Sequence, residues 1–189
     1  MNKKDLRKKY KELRQELSVD EIENKSLAIA NRLLQLNIWD KTYFHLFLSI
    51  KEKKEVETEF ILQILAGKDK EIVMAKSNFN SLEMKNYLIT ESTIFQKNEY
   101  NICEPINGLE IATTKIEVIF VPLLAYDKKG NRVGYGKGFY DIFLSKCTKD
   151  VIKIGLSFFE PEEVIDDISL SDICLNYCVT PLSVHKLPQ

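Results

Sequence analysis

The chain's patterning predicts an α/β domain with a mainly parallel sheet and two helices ahead of the first strand, over residues 1–189. Three observations carry that prediction. Apolar runs of strand length alternate with stretches of helical spacing, the order expected of an α/β protein. Thr42 to Ser49 is almost continuously apolar, as in a strand covered on both faces, and the apolar run Glu117 to Ala125 is the clearest central strand. A glycine-rich stretch then follows that run, and helical spacing resumes after it. In such sheets ligands bind beyond the carboxyl ends of the strands.

Taken in order, Leu6, Tyr10, Leu13 and Leu17 recur at intervals of four, three and four, one narrow stripe of a helix from Lys3 to Leu17. Lys3, Arg7 and Arg14 fall beside the stripe, with Lys4, Lys8, Lys11, Glu12, Gln15 and Glu16 opposite. Cations in that position either aim into a cleft or pack their stems while their ends reach water, and spacing leaves both open. Ser18 and Glu21 have capping-box spacing and open a second helix, whose apolar side is Ile22, Ala30, Leu33 and Leu34.

The first strand is expected over Thr42 to Ser49, with His45 inside it as a structural residue. A charged link, Lys51 to Glu55, leads to a helix from Glu57 to about Ala66 and a strand from Glu71 to Lys76. Asn78 to Thr114 offers short strand-like pieces and no topology. A strand at Val151 to Leu156, an acidic stretch from Glu160 to Asp172 and an apolar run to Val179 complete the chain.

Lys plus Arg at 27 against Asp plus Glu at 28 gives a net charge of −1, which argues against bulk attraction to nucleic acid or an acidic membrane. An anionic ligand must be caught locally. No run approaches the roughly 20 apolar residues of a membrane span, and the N-terminus lacks an apolar core, so a cytoplasmic protein is expected. Cys103, Cys147, Cys174 and Cys178 lie in apolar stretches without CxxC spacing. Buried, reduced thiols are expected in preference to a zinc site with His185.

Val121 to Leu144 holds four of the seven glycines, with Gly134, Gly136 and Gly138 alternating. Glycine lets a backbone approach a ligand closely, and the helix start beyond the loop offers free N–H groups that favour phosphate. Neither common nucleotide fingerprint fits. The dinucleotide motif needs glycine where Phe139 stands, and the P-loop needs glycine at Asn131 and Ser or Thr at Gly138. A strained hairpin would account for the glycines, but not for Arg132 and Lys137 among them.

The run NRVGYGKGFYD, preceded by VPLLAYDKKG, resembles the signature of the 5-formyltetrahydrofolate cyclo-ligase family, whose members are also called methenyltetrahydrofolate synthetases. Further segments agree in order and spacing. These are Lys3-Lys4-Asp5-Leu6-Arg7, then Phe47-Leu48-Ser49 with Glu55-Val56-Glu57-Thr58, and Tyr100-Asn101-Ile102-Cys103-Glu104-Pro105. The resemblance covers nearly the whole chain. It implies a three-layer αβα, Rossmann-like domain that converts 5-formyltetrahydrofolate to 5,10-methenyltetrahydrofolate, consuming ATP with Mg2+ and releasing ADP and phosphate.

By the same resemblance, ATP contacts fall to Lys3, Lys4, Asp5, Leu6 and Arg7, and to Arg132, Val133, Gly134, Tyr135, Gly136, Lys137, Gly138, Phe139 and Tyr140. Arg132 and Lys137 are the catalytic cations. Leu48, Glu55 and the loop from Tyr135 to Phe139 border the folate, and Asp141 and Asp172 hold Mg2+. The residues themselves leave alternatives: Asp141 as a helix cap, Asp172 as part of an acidic stretch, Glu55 as one more solvated charge. The expected partners are the small-molecule substrates, with no nucleic acid or membrane, and a monomer is expected although nothing in the sequence fixes the oligomeric state. Departures at Leu123, Ala125, Ala75-Lys76 and Asn176 motivate a second reading, a non-catalytic folate-binding or regulatory protein on the same scaffold.

Overall fold

The computed structural model describes residues 1–188. Helix α1 (Lys3–Glu16) starts at Asn2, whose side chain accepts from the Asp5 N–H. Helix α2 (Val19–Leu33) starts on the full Ser18/Glu21 capping box, as the spacing predicts. Then come β1 (Tyr43–His45), α3 (Glu59–Gly67), β2 (Glu71–Asn78) and β3 (Glu83–Leu88). The next strands are β4 (Phe95–Lys97), β5 (Cys103–Pro105), β6 (Leu109–Ile111), β7 (Val118–Pro122), β8 (Ala125–Tyr126) and β9 (Arg132–Val133). The chain closes with α4 (Phe139–Ser145), β10 (Ile152–Leu156), β11 (Tyr177–Val179) and β12 (Val184–Lys186).

Eight strands form the main sheet in the order β12-β11-β10-β7-β1-β2-β3-β6. The five from β11 to β2 pair in parallel, and β12, β3 and β6 join antiparallel at the edges. The chain leaves β1 toward β2 on one side and later returns with β7 on the other. The carboxyl ends of β1 and β7 therefore flank a topological switch point.

Alternating residues split the core in two. Phe44, Leu46, Phe120 and Ile154 pack with Ile29, Leu33, Ile61 and Leu65 of α2 and α3. Val73, Ile119 and Val121 pack on the other face with Phe143 and Leu144 of α4. Helix α1 covers neither face. Its stripe, Leu6 and Tyr10, packs with Leu124, Ala125, Val133 and Ile165 at the carboxyl end of the sheet.

Several expectations are corrected in detail. The first strand ends at His45, followed by one further bond from the Leu46 N–H to the Val73 carbonyl, and Leu46, Phe47 and Leu48 then line the cleft described below. The central strand ends at Pro122, because the chain must turn there to form the β8–β9 ribbon. Residues 78–114 resolve into a β2–β3 hairpin, a separate β4–β5 ribbon and the edge strand β6. Only Cys178 is buried among the thiols; Cys103, Cys147 and Cys174 are half-buried. No helix among the described residues is long and apolar enough to cross a membrane.

Charged pairs tie α1 to the acidic stretch. Lys3 pairs with Asp172, Lys9 lies 2.6 Å from Glu162, and the Tyr10 hydroxyl donates to the same carboxylate at 2.8 Å. The Lys9 hydrogen bond holds the Glu162 carboxyl below its usual 4.5. Burial pushes the Asp172 carboxyl up, but Lys3 and the Ser169 N–H outweigh it and hold the group below its usual 3.8. Both shifts are downward, so their stabilisation is complete above those ordinary values and is lost as pH falls through the lowered folded ones. Hydrogen exchange should find α1 protection flat near neutral pH and falling below about 4.5, ahead of α2.

Candidate active site

A cleft of about 440 Å³ opens at the carboxyl ends of β1 and β7, where the topology places a ligand site. The glycine-rich loop forms one wall. Its position begins with Asp127, fully buried, whose carboxylate accepts from the backbone of Lys129, Asn131 and Ile165 and from the Asn131 amide. That carboxylate fixes the β8–β9 turn and directs Arg132 inward. Arg132 is nearly buried; it donates to the Ile173 carbonyl and, at 2.6 Å, to Asp141 Oδ1.

Gly136 shows why the loop needs glycine. Its φ is +94°, and a Cβ there would lie 3.3 Å from Arg7 Nε and 3.4 Å from Cζ. The same guanidinium donates from Nε to the Gly134 carbonyl at 3.0 Å, so helix α1 and the loop hold each other in place. Gly138, at φ +80°, ends the loop and precedes α4, which makes no side-chain cap. The helix spans seven residues, so loop amides and side-chain cations, more than a long helix dipole, set the local potential.

Lys3 and Arg7 both line the cleft, four residues apart on one helical face. Lys4 and Asp5 are exposed, while Leu6 and Val133 are buried in the α1 cluster; none of the four side chains lines the cleft. Lys137 does line it, and among the described residues it makes neither an ion pair nor a hydrogen bond. Tyr135, Gly136, Gly138, Phe139 and Tyr140 complete that wall.

The opposite wall is apolar, with Leu46, Phe47, Leu48, Met74, Ala75, Met84 and Ile102. Phe79 stacks on Tyr100 with ring centroids 4.0 Å apart and meets Phe139 edge-on at 5.0 Å, which joins the β3–β5 region to the loop. A planar ring of drug size fits such a slot.

Glu55 is 4% exposed, which removes its reading as a solvated charge. Its carboxylate accepts from the Ile50 N–H at 2.8 Å and from the Tyr135 hydroxyl at 2.6 Å. That hydroxyl accepts in turn from Arg14 at 2.9 Å, and Arg14, itself buried, also donates to the Leu123 carbonyl. Burial, together with the Glu55 charge, pushes the Tyr135 phenol well above its usual range, so it stays a neutral donor. Lys53 sits 4.4 Å over the same ring.

Asp141 does not cap α4; it faces Arg132 and accepts weakly from the Ile173 N–H. Asp172 also lines the cleft, where Oδ2 takes Lys3 and the Ser169 N–H. Each carboxylate thus keeps one oxygen with no hydrogen bond among the described residues. No cluster of three or more candidate ligands is assembled among those residues. A cation here would rely on one or two carboxylates plus phosphate oxygens and water, which is how Mg2+ is usually held. The residues fit that ion.

Two cleft residues, Glu104 and His45, and Arg14 behind the cleft wall carried no site signal in the sequence. Arg14 was visible beside the α1 stripe, but its partners Tyr135 and Leu123 lie more than a hundred residues away. Glu104, 3% exposed, accepts from the Ser77 N–H and the Asn98 amide and fixes the β4–β5 ribbon against β2. His45, expected to be structural, lines the cleft.

The architecture is that of a Rossmann-like α/β enzyme with its ligand cleft at the switch point of the sheet. The model of the 5-formyltetrahydrofolate cyclo-ligase family matches residues 1–173, and the chain belongs to that family. The 5-formyltetrahydrofolate cyclo-ligase of Mus musculus is 31% identical over 155 residues, 78% of this chain and 75% of that protein. The structure of the Aquifex aeolicus 5,10-methenyltetrahydrofolate synthetase superposes with a TM-score of 0.85 at 27% identity, covering 100% of this chain and 94% of that one. The Mycoplasma pneumoniae 5,10-methenyltetrahydrofolate synthetase shares the fold at a TM-score of 0.75 and 23% identity, covering 96% and 99%.

Proposed function

We propose that the protein converts 5-formyltetrahydrofolate to 5,10-methenyltetrahydrofolate and drives the reaction with ATP and Mg2+. Family membership supports the substrate, and one observation supports the nucleotide: Lys137, without an ion pair or hydrogen bond among the described residues, stands in a glycine-rich loop and lines the same cleft as Arg7, Lys3 and Arg132. Such a loop, opposite an apolar slot, suits a triphosphate on one side and a pterin on the other. The same reading makes it a cytoplasmic monomer that acts on small molecules.

An N-formyl group is amide-like and a poor electrophile. In the proposed route the formyl oxygen attacks the γ-phosphorus, the β,γ-bridging P–O bond breaks, and ADP leaves. The neighbouring folate nitrogen then adds to the activated carbon and loses its proton, and the C–O bond breaks to release phosphate. No protein nucleophile is required; positioning and charge neutralisation carry the rate. Lys137 and Arg7 balance the phosphates, and loop amides orient them. Arg132 sets the angle of Asp141, while Glu55, through Tyr135, sets the angle of the loop. Asp141 and Asp172 would hold Mg2+, which when bound neutralises phosphate charge.

The test is purified protein with 5-formyltetrahydrofolate, ATP and magnesium, followed by the absorbance that methenyltetrahydrofolate gains on ring closure. A signal that requires both ATP and magnesium supports the proposal. Folate binding indifferent to both, with no turnover, would favour the non-catalytic reading instead. Asp141→Asn keeps the side chain's shape and should raise the magnesium needed for half-maximal turnover by about tenfold or more. An unshifted magnesium curve would reduce Asp141 to a partner of Arg132.

A further inference from the structure

His45 ends β1 and is one of the residues that line the cleft. It is 1% exposed, yet neither ring nitrogen closes a hydrogen bond among the described residues. Its strand neighbours are Val73 and Ile119, and its ring meets Phe143 at 4.9 Å and the edge of Tyr140 at 6.1 Å. Both strand partners and Phe143 are apolar, and the polar groups near the ring are the Tyr140 hydroxyl and the backbone carbonyls of Phe120 and His45. A leucine would fill such a place without burying polar atoms, and an unpartnered buried imidazole opposes folding. A ligand in the cleft supplies what packing does not.

We propose that His45 is a substrate-contacting residue whose imidazole accepts a hydrogen bond from a donor on the pterin ring of the folate. The inference rests on the function proposed above. Burial presses the imidazole down to about 3, against a weaker upward pull from the carbonyls of Phe120 and of His45 itself. The ring is therefore neutral and cannot serve as a phosphate anchor, which leaves the phosphates to Lys3, Arg7 and Lys137. Those carbonyls stop short of hydrogen-bond geometry, but they favour the tautomer whose N–H faces the backbone. The second nitrogen then presents a lone pair, which calls for a donor on the ligand. The surrounding wall, Met74, Ala75, Met84 and Tyr140, suits the face of a flat ring, and a pterin carries amino and ring N–H donors at its edge.

The experiment compares wild type, His45→Leu and His45→Asn by melting temperature, by equilibrium titration with 5-formyltetrahydrofolate alone, and by KM and kcat for both substrates. The Leu variant should melt at or above the wild-type temperature and bind the folate about tenfold more weakly, with the ATP KM little changed. The Asn variant, which offers a carbonyl acceptor near one ring-nitrogen position, should recover part of that affinity. Three results would overturn the inference while leaving the proposed function standing. They are unchanged folate affinity in the Leu variant, a loss confined to ATP, and a fall in both melting temperature and affinity that Asn does not relieve. Wild-type protein that binds no 5-formyltetrahydrofolate would overturn the proposed function, and this inference with it.

Discussion

Lys137→Ala should lower turnover by roughly a hundred- to a thousandfold while folate binding stays close to wild type. The reason lies in how the other cleft cations are already engaged. Lys3 is paired with Asp172, Arg132 with Asp141 and the Ile173 carbonyl, and Arg7 with the Gly134 carbonyl. Those three hold the scaffold in its present shape. Lys137, with no ion pair or hydrogen bond among the described residues, can follow charge as it moves from the formyl oxygen to the leaving ADP. A group that tightens its interaction in the transition state acts on kcat more than on KM. Steady-state kinetics over both substrates, with folate affinity measured separately, would check this. A variant that keeps the wild-type ATP requirement and rate would remove Lys137 from the phosphoryl transfer. Lys137→Arg restores charge on a longer, planar group and should recover only part of the rate.

The contrast between Lys137 and Arg132 marks how far the sequence could be read. Both stand in the glycine-rich run, and spacing treats them alike as phosphate cations. Only the folded chain distinguishes them, because the partners of Arg132 include the carbonyl of Ile173, 41 residues on. Local signals were dependable: the α1 stripe, the Ser18/Glu21 capping box, and the strand–loop–helix order around the glycines each depend on residues within a few positions. Signals that depend on the far side of the molecule were not available. The apolar run through Leu48 looks the same whether it stays in the ladder or leaves to line a cleft, so the early end of β1 had no signature. Glu55 follows three lysines and reads as surface, yet the turn through Lys54, at φ +46°, directs it inward to Tyr135. Residues 78–114 form short ribbons too brief for either period to show.

Glu55→Gln should weaken folate affinity by tenfold or more and lower stability as well. Both oxygens of the carboxylate accept hydrogen bonds, one from the Ile50 N–H and one from the Tyr135 hydroxyl. Glutamine offers one acceptor and one donor. If its oxygen keeps Ile50, its amide faces a phenol that must turn its proton away, although that phenol already accepts from Arg14. The charge is lost too. Arg14 is 3% exposed, and neutralising the carboxylate across the hydroxyl leaves a buried cation less well balanced, at a cost of about 2 kcal/mol. Urea unfolding would measure that cost.

Tyr135→Phe breaks the same chain at its middle, leaving Glu55 and Arg14 each short of a partner. If the three residues act as one device that sets the loop beside the folate, the double variant should be little worse than the poorer single one. Independent contributions would instead add. Titration of 5-formyltetrahydrofolate across the four proteins therefore separates a Glu55 that touches the pterin alone from one that works through Tyr135. A Glu55→Gln effect seen only in the ATP KM would exclude both.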